Sequence, residues 1–425
     1  MATSLYLFDP AELPPVIRYE KLFENLPPLS EKAKKRGRVP ISRNSLFKAL
    51  VYKALRRIAT LTDLQFDLDN NPSVCQALGF NPLKPAPSVE RFSSFLRDTD
   101  HQEITDLRTQ LVQALLDAKV MHGREIAIDS CPIVVHLKEN NLKTSMADRF
   151  NKERRPKGDS DARLGVMIHY LNPFKKKINY FWGYRNHVVS DTSTELPLWE
   201  ITYPANKSEL RIAKSLITNA WQQFKLDIDV VTADANYDAE SFLSFIINEL
   251  KAQAVVPMQP RNKQTDIYQI KGGKVVCSAG LPMYRKGKMR PKRTGILYQQ
   301  YTCPVVYDRV LKKQYIACPA FHPKFFSGKG CNALIRLEPS IRSQIEYGTI
   351  KFKEQYKKRT AVERVFSGLL AIAMQNPTVR GLQANRNHTT IAHIAVLLVA
   401  RTAHEAGLKD KIRFVKSFVP NFLKN

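Results

Sequence analysis

Apolar and polar positions along this chain follow two periods, and the switches between them mark its organisation. From residue 40 to about 118 the period is helical. Ser42 stands where it can cap a helix carrying Leu46, Leu50, Tyr52 and Leu55. Short helices are predicted over 62–68 and 74–78, and Pro87-Ser88 opens another in which Val89, Phe92, Phe95 and Leu96 share a face. Residues 102–118 predict one more. At Arg124 the period shortens to two. Ile126 and Ile128 alternate with Ala127 and Asp129, which predicts a short buried strand ending on an acid. Runs at 164–170, 178–189 and 196–203 predict strands, with Asn172-Pro173 and Asp191-Thr-Ser between them as antiparallel hairpins require. A helix over 208–224 places Leu210, Ala213, Leu216, Ile217 and Ala220 on one face. A second buried strand, 228–234, again ends on an acid, Asp234. A helix with Phe242, Phe245, Ile246 and Leu250 and a short strand at 254–257 follow.

Near the C-terminus the helical period returns over 356–370. At about 100° per residue Tyr356, Arg359 and Glu363 share one narrow stripe, beside a core-facing sector of Val362, Val365, Phe366, Leu369 and Ile372. In isolation this is an ordinary amphipathic helix with an Arg–Glu pair worth a few tenths of a kcal/mol. Asp129 alone is a turn residue, and Asp238 is explained as an N-terminal helix residue. The rival carboxylates Asp159 and Asp161 lie in the polar segment 138–163, predicted as a loop over a site or onto DNA, and suggest a turn. In the last helix Ile391, Ile394, Leu397 and Leu398 are core, and the apolar run 391–400 falls far short of a membrane span.

Charge narrows the class of partner. Over 425 residues Lys and Arg outnumber Asp and Glu by 66 to 39, giving a net charge of +27. A polyanion is the usual reason to carry that self-repulsion, although a basic protein that binds ribosomes or membranes nonspecifically has the same balance. Lys32, Lys34, Lys35, Arg36 and Arg38 precede the first helices, which suit a DNA-binding or dimerising module and equally a packing domain with a basic rim. No glycine-rich phosphate loop, nucleophile elbow or nicotinamide fingerprint is present. The first residues lack the pattern of a signal peptide. Six cysteines are no disulfide scaffold, which points to a reducing, cytoplasmic compartment. The segment from about 260 to 345 is very basic and holds Cys277, Cys303, Cys318 and Cys331, with His322 nearby. Four thiolates can hold a structural zinc, but without a close Cys-x-x-Cys knuckle that signal is weak, and ordinary buried thiols are the favoured reading.

Three acidic blocks in order, AIDS around Asp129, TADANYD around Asp234, and Tyr356…Arg359…Glu363, resemble those of bacterial insertion-sequence transposases of the DDE type. FWGYRNHVVSD, ITYPANKSE and the RGL…HIAVLLVA ending are similar in style, so the likeness spans most of 40–405. The usual last block closes with a Lys seven residues after the Glu; here that position is Leu370.

The resemblance implies an α/β, ribonuclease-H-like catalytic core, a mixed sheet flanked by helices, with an all-α N-terminal domain and a basic insertion before the last catalytic helix. The boundaries expected are a helical DNA-binding or dimerisation region at 1–118, the first part of the core at 119–259, the insertion at 260–345, the rest of the core at 346–405 and a basic tail at 406–425. It implies two Mg2+ ions, or Mn2+ in their place, held by Asp129, Asp234 and Glu363, because hard cations take carboxylate oxygens. Tyr356, Arg359 and Arg380 would contact DNA, and a homodimer would bridge two double-stranded transposon ends in the bacterial cytoplasm, away from any membrane. The activity implied is phosphodiester hydrolysis at those ends followed by strand transfer. The alternatives are a nuclease that cuts without joining and a non-catalytic or decayed DNA-binding relative.

Overall fold

The computed structural model describes residues 15–31, 40–141, 155–172, 175–259, 268–292, 295–322, 325, 327, 328 and 330–415. The 32–38 basic cluster, Pro173, Arg293, half of the expected polar loop and the end of the basic tail lie outside these residues. The chain forms two compact units, one from Met1–Val256 with Gly348–Asn425 and the other from Pro257–Tyr347.

In the first unit six helices precede any strand: α1 (Pro15–Glu24), α2 (Arg43–Leu55), α3 (Leu61–Asn70), α4 (Pro72–Ala77), α5 (Val89–Asp98) and α6 (His101–Asp117). Their starts are written in the sequence. Ser42 Oγ accepts from Ser45 N at 3.1 Å, Thr60 and Asp63 form a reciprocal capping box, and Asp100 caps α6.

The sheet follows: β1 (Glu125–Val134), β2 (Arg163–Asn172), β3 (Lys175–Asp191), β4 (Leu196–Pro204), then α7 (Glu209–Phe224), β5 (Val230–Thr232), α8 (Glu240–Ser244) with a π-turn after it, and β6 (Gln253–Val255). The order is β2-β3-β1-β5-β6, with β4 also on β3. The long β3 is antiparallel to β1 and takes both β2 and β4 on its other edge, end to end, the change falling between Gly183 and Tyr184. β5 and β6 run parallel to β1. The β3–β4 turn is built by Asp191, whose Oδ1 accepts from Ser193 N and Thr194 N while Oδ2 accepts from His122 N and Gly123 N.

Two sequence expectations change. β1 does not end on Asp129: pairing with β3 carries it on to Val134↔Gly183. The helix expected over 356–370 is two, α11 (Ile350–Lys357) and α12 (Thr360–Ala371). At the join Arg359 N bonds to Tyr356 O and Ala361 N to Lys358 O, three-residue bonds that tighten the turn.

The last helix, α13 (Leu382–Glu405), is buried along nearly its whole length and packs on α2, α5, α6 and β4. Between α6, α13 and the sheet lies a buried polar network. Glu200 accepts from Arg108 at 3.2 Å, Asn186 at 2.7 Å and Thr390 at 2.6 Å, and His393 bonds to Asn186 at 2.9 Å. Among the described residues no helix is long and apolar enough to cross a membrane. The expected turn acids have a structural use: Asp159 accepts from Tyr184 Oη and Gly381 N, and Asp161 from Leu382 N, which holds the start of α13.

The second unit contains a hairpin of β7 (Tyr268–Lys271) and β8 (Lys274–Cys277) and an antiparallel sheet of β9 (Tyr284–Met289), β10 (Tyr298–Thr302) and β11 (Asn332–Arg336), with β10 central. Two short helices, α9 (Pro304–Tyr307) and α10 (Arg309–Gln314), follow β10. The Thr302↔Asn332 register brings Cys303 beside Cys331. These two thiols and Cys277 share a small core with Val275, Met283, Val305 and Ala333. All six cysteines are free and buried. Burial first, then the Cys303 and Cys277 thiols, push the Cys331 thiol up to about 12. Among the described residues these cysteines form no group able to hold a metal, so the expected zinc knot is absent there and the thiols serve as packing.

Candidate active site

Sheet topology brings two acids together. β1 and β5 pair in parallel only as far as Ala127↔Thr232. Asp129 and Asp234 each stand two residues past that last pair, where β5 ends and β1 runs on without it; the crevice past the carboxyl end of such a strand is the usual place for a ligand in an open α/β sheet. Asp234 also caps a 3₁₀ turn, accepting from Asn236 N at 2.8 Å.

The third acid arrives with α12, which packs on β1, β3 and β4. Its approach is pinned at the join: Lys358 Nζ reaches Glu125 at the start of β1 at 2.6 Å, and Gln355 Nε2 bonds to Gln253 of β6 at 3.1 Å. Arg359 then donates to Asp129 Oδ2 at 3.4 Å and to Glu363 Oε1 at 2.5 Å. Its guanidinium lies 5.7 Å from the centre of the Tyr356 ring, which stacks on Phe352. So Asp129, Glu363, Arg359 and Tyr356 meet, and Asp234 lies close enough that Arg359 favours its charged form.

Arg380 is apart from this group. It is exposed on the loop before α13 and lines a cleft with Thr60, Ser93 and Arg97. Asp238 is buried at the end of the 3₁₀ turn.

Sequence reasoning missed four further residues. Glu209, the first residue of α7, accepts from Ser130 Oγ at 2.9 Å and from Arg185 of β3. Arg185 also donates to Ser130 Oγ at 3.2 Å. Tyr237 is buried and its hydroxyl has no hydrogen-bond partner among the described residues. Each lies within a stretch already singled out, Ser130 in AIDS, Arg185 in FWGYRNHVVSD, Glu209 at the end of ITYPANKSE and Tyr237 in TADANYD, but nothing local marked them as parts of one site.

The electrostatics are those of crowded carboxylates. Burial, with Asp234 and Glu209 adding to it, pushes Asp129 up to about 7, against the Ser130 amide and Arg359, which pull it down. Burial and Glu209 likewise raise Asp234. Among the described residues no three His, Cys, Asp or Glu side chains close into a metal cage; the acids are spaced around Arg359. The donor set is nevertheless all carboxylate oxygen, with an unbonded buried hydroxyl beside it, and so fits a hard divalent cation rather than zinc.

A mixed sheet with carboxylates at the parting of its parallel strands and a third acid on a helix laid across them defines a class of hydrolytic and transfer enzymes. The chain belongs to the transposase DDE domain family, whose model matches residues 124–398, and it is of the insertion-sequence type. A second transposase domain model, DUF772, matches residues 9–98. No curated protein matches. Among solved structures, a piggyBac transposase synaptic complex with hairpin DNA aligns over 99% of this chain and 80% of that one, at 13% identity and a TM-score of 0.36, too low to carry an argument.

Proposed function

We propose that this protein cuts DNA at transposon ends and joins the freed ends to target DNA, using divalent cations held by Asp129, Asp234 and Glu363 in a ribonuclease-H-like core. The observation that carries the reading is the convergence of Asp129 and Glu363 on one guanidinium at the parting of β1 and β5.

Cleavage of a phosphodiester requires charge to be neutralised at an anionic phosphorus. Divalent cations such as Mg2+ or Mn2+, held by these acids, would supply that neutralisation together with activation of the attacking oxygen. Asp129, Asp234 and Glu363 would hold the cations through carboxylate oxygens. Water as nucleophile gives end cleavage; a freed 3′-hydroxyl gives strand transfer. Arg359 and Tyr356 would turn from their present partners to a phosphate near the scissile bond. Arg380, the N-terminal helices and the basic second unit would hold DNA away from the reacting phosphate, with a homodimer bridging two ends. The excess of 66 basic over 39 acidic residues supports this partner and predicts a steep fall of affinity with salt.

The test is cleavage and joining of the DNA that flanks the gene, by wild type and by Asp129→Ala, Asp234→Ala and Glu363→Ala, with Mg2+, Mn2+ or chelator. Metal-dependent cutting at a defined end, lost in each variant, is expected. Binding without cutting in any metal would favour a non-catalytic DNA-binding protein; cutting without joining, a nuclease.

A further inference from the structure

We propose that Glu209 is a fourth acid of this site, an additional oxygen donor for a divalent cation, with Arg185 as its competing charge partner. The proposal rests on the reading of Asp129 and Asp234 as cation-holding acids, and extends it to a residue on a different element.

The placement is set by the fold. Glu209 opens α7, the helix that leads from the antiparallel half of the sheet to β5, so it reaches the site from another side than α12. Its Oε1 is held by Ser130, the residue next to Asp129, and by Arg185. Arg185 is in turn fixed by Ser130 Oγ and by the Val166 carbonyl of β2. The side chain of Glu209 is one-quarter exposed and that of Arg185 less, so neither is a loose surface group.

A buried ion pair alone would account for Glu209, and an independent observation argues for more. Tyr237 is 1% exposed and its hydroxyl has no hydrogen-bond partner among the described residues. A buried hydroxyl without a partner is unfavourable, and the fold retains one here. Tyr237 lies in the 3₁₀ turn that Asp234 caps, and that turn packs on α7, the helix Glu209 opens. The phenol is thus held between the elements that carry Asp234 and Glu209, where a hydrated cation offers the oxygen it lacks. The charges agree. Glu209, Asp129, Asp234 and Glu363 face two guanidiniums, Arg359 and Arg185, which leaves two negative charges for cations to neutralise.

This arrangement makes opposite predictions for the two members of one ion pair. Mn2+ binding to the full chain, without DNA at pH 8, would be followed by electron paramagnetic resonance for wild type, Glu209→Gln, Glu209→Asp, Arg185→Gln and Asp129→Asn. Thermal unfolding would be recorded for each. Glu209→Gln is expected to weaken Mn2+ binding about tenfold, Glu209→Asp to recover most of it, and Arg185→Gln to tighten it. A structural ion pair would instead lower the unfolding temperature of both single variants and leave Mn2+ affinity alone in both; that result overturns the proposal. Weak binding in Asp129→Asn with wild-type binding in Glu209→Gln also overturns it, while the three-acid reading stands. Wild-type protein that takes up no Mn2+ sinks both.

Discussion

One guanidinium joins two acids that lie 234 residues apart in neither direction of any local motif: Arg359 donates to Asp129 at 3.4 Å and to Glu363, four residues along its own helix, at 2.5 Å. The cation that spaces these carboxylates also competes with any metal for them. Arg359→Ala is therefore expected to bind Mn2+ several-fold more tightly than wild type while cutting DNA at least about a hundredfold more slowly, the size of effect seen when one donor to a reacting centre is lost. Calorimetric Mn2+ titration beside a cleavage assay separates the two. Loss of both would show that Arg359 only organises the helix.

Asp129 gives a pH prediction whose sign runs against habit. Its carboxyl titrates near 3.8 in the unfolded chain and at about 7 when folded. Between those values the folded state binds more protons, so stability falls as pH rises and the cost is complete above about pH 7. Without divalent metal, Asp129→Asn should be more stable than wild type at pH 8, by roughly 1–2 kcal/mol or a few degrees in Tm. At pH 4 the two should coincide. The same protonation predicts that metal uptake at pH 6.5 releases most of one proton from Asp129, measurable by calorimetry in buffers of different ionisation enthalpy.

How much of this was legible in the sequence depends on the range of the interaction concerned. The alternation of Ile126 and Ile128, the strand runs and the Ser42 cap are local, and the sheet and helices follow them closely. The split at Lys358–Arg359 was not legible, because the backbone stays right-handed through it (φ −66° then −55°) and the side-chain stripe is hardly disturbed. Glu209, Arg185 and Tyr237 come together only through the sheet order, which no local period encodes. The cysteines misled for a related reason. The β10–β11 register places Cys303 against Cys331, but among apolar neighbours that give the thiols a core to fill.

The buried pair behind the sheet supports a stability prediction. Arg108 and Glu200 are each 1% exposed at the side chain. Arg108→Met leaves a buried carboxylate and should cost about 3–5 kcal/mol, whereas Arg108→Met with Glu200→Gln should recover much of it. Urea unfolding of the two variants measures the difference, and additive losses would refute it.

Close packing fixes one backbone position beside the site. A Cβ on Gly183 would lie 2.0 Å from the Ile133 carbonyl oxygen, where β3 passes the far end of β1. Gly183→Ala should cost about 3 kcal/mol, the top of the range for overpacking. The control is Gly287→Ala in the exposed β9, where a Cβ meets nothing within 4 Å. Its unfolding midpoint should match wild type.

The place of the second unit in the chain bears on when activity can arise. Pro257–Tyr347 is spelled out after Asp234 and before Glu363, and α13, the common partner of α2, α5, α6 and β4, is spelled out last. A ribosome that has finished only the first two acids has made a chain with neither its third acid nor the helix its first domain folds upon. Fragments ended by a stop or frameshift in this stretch lack Glu363 and α13 alike, so the full set of acids exists only in a chain made almost to its end.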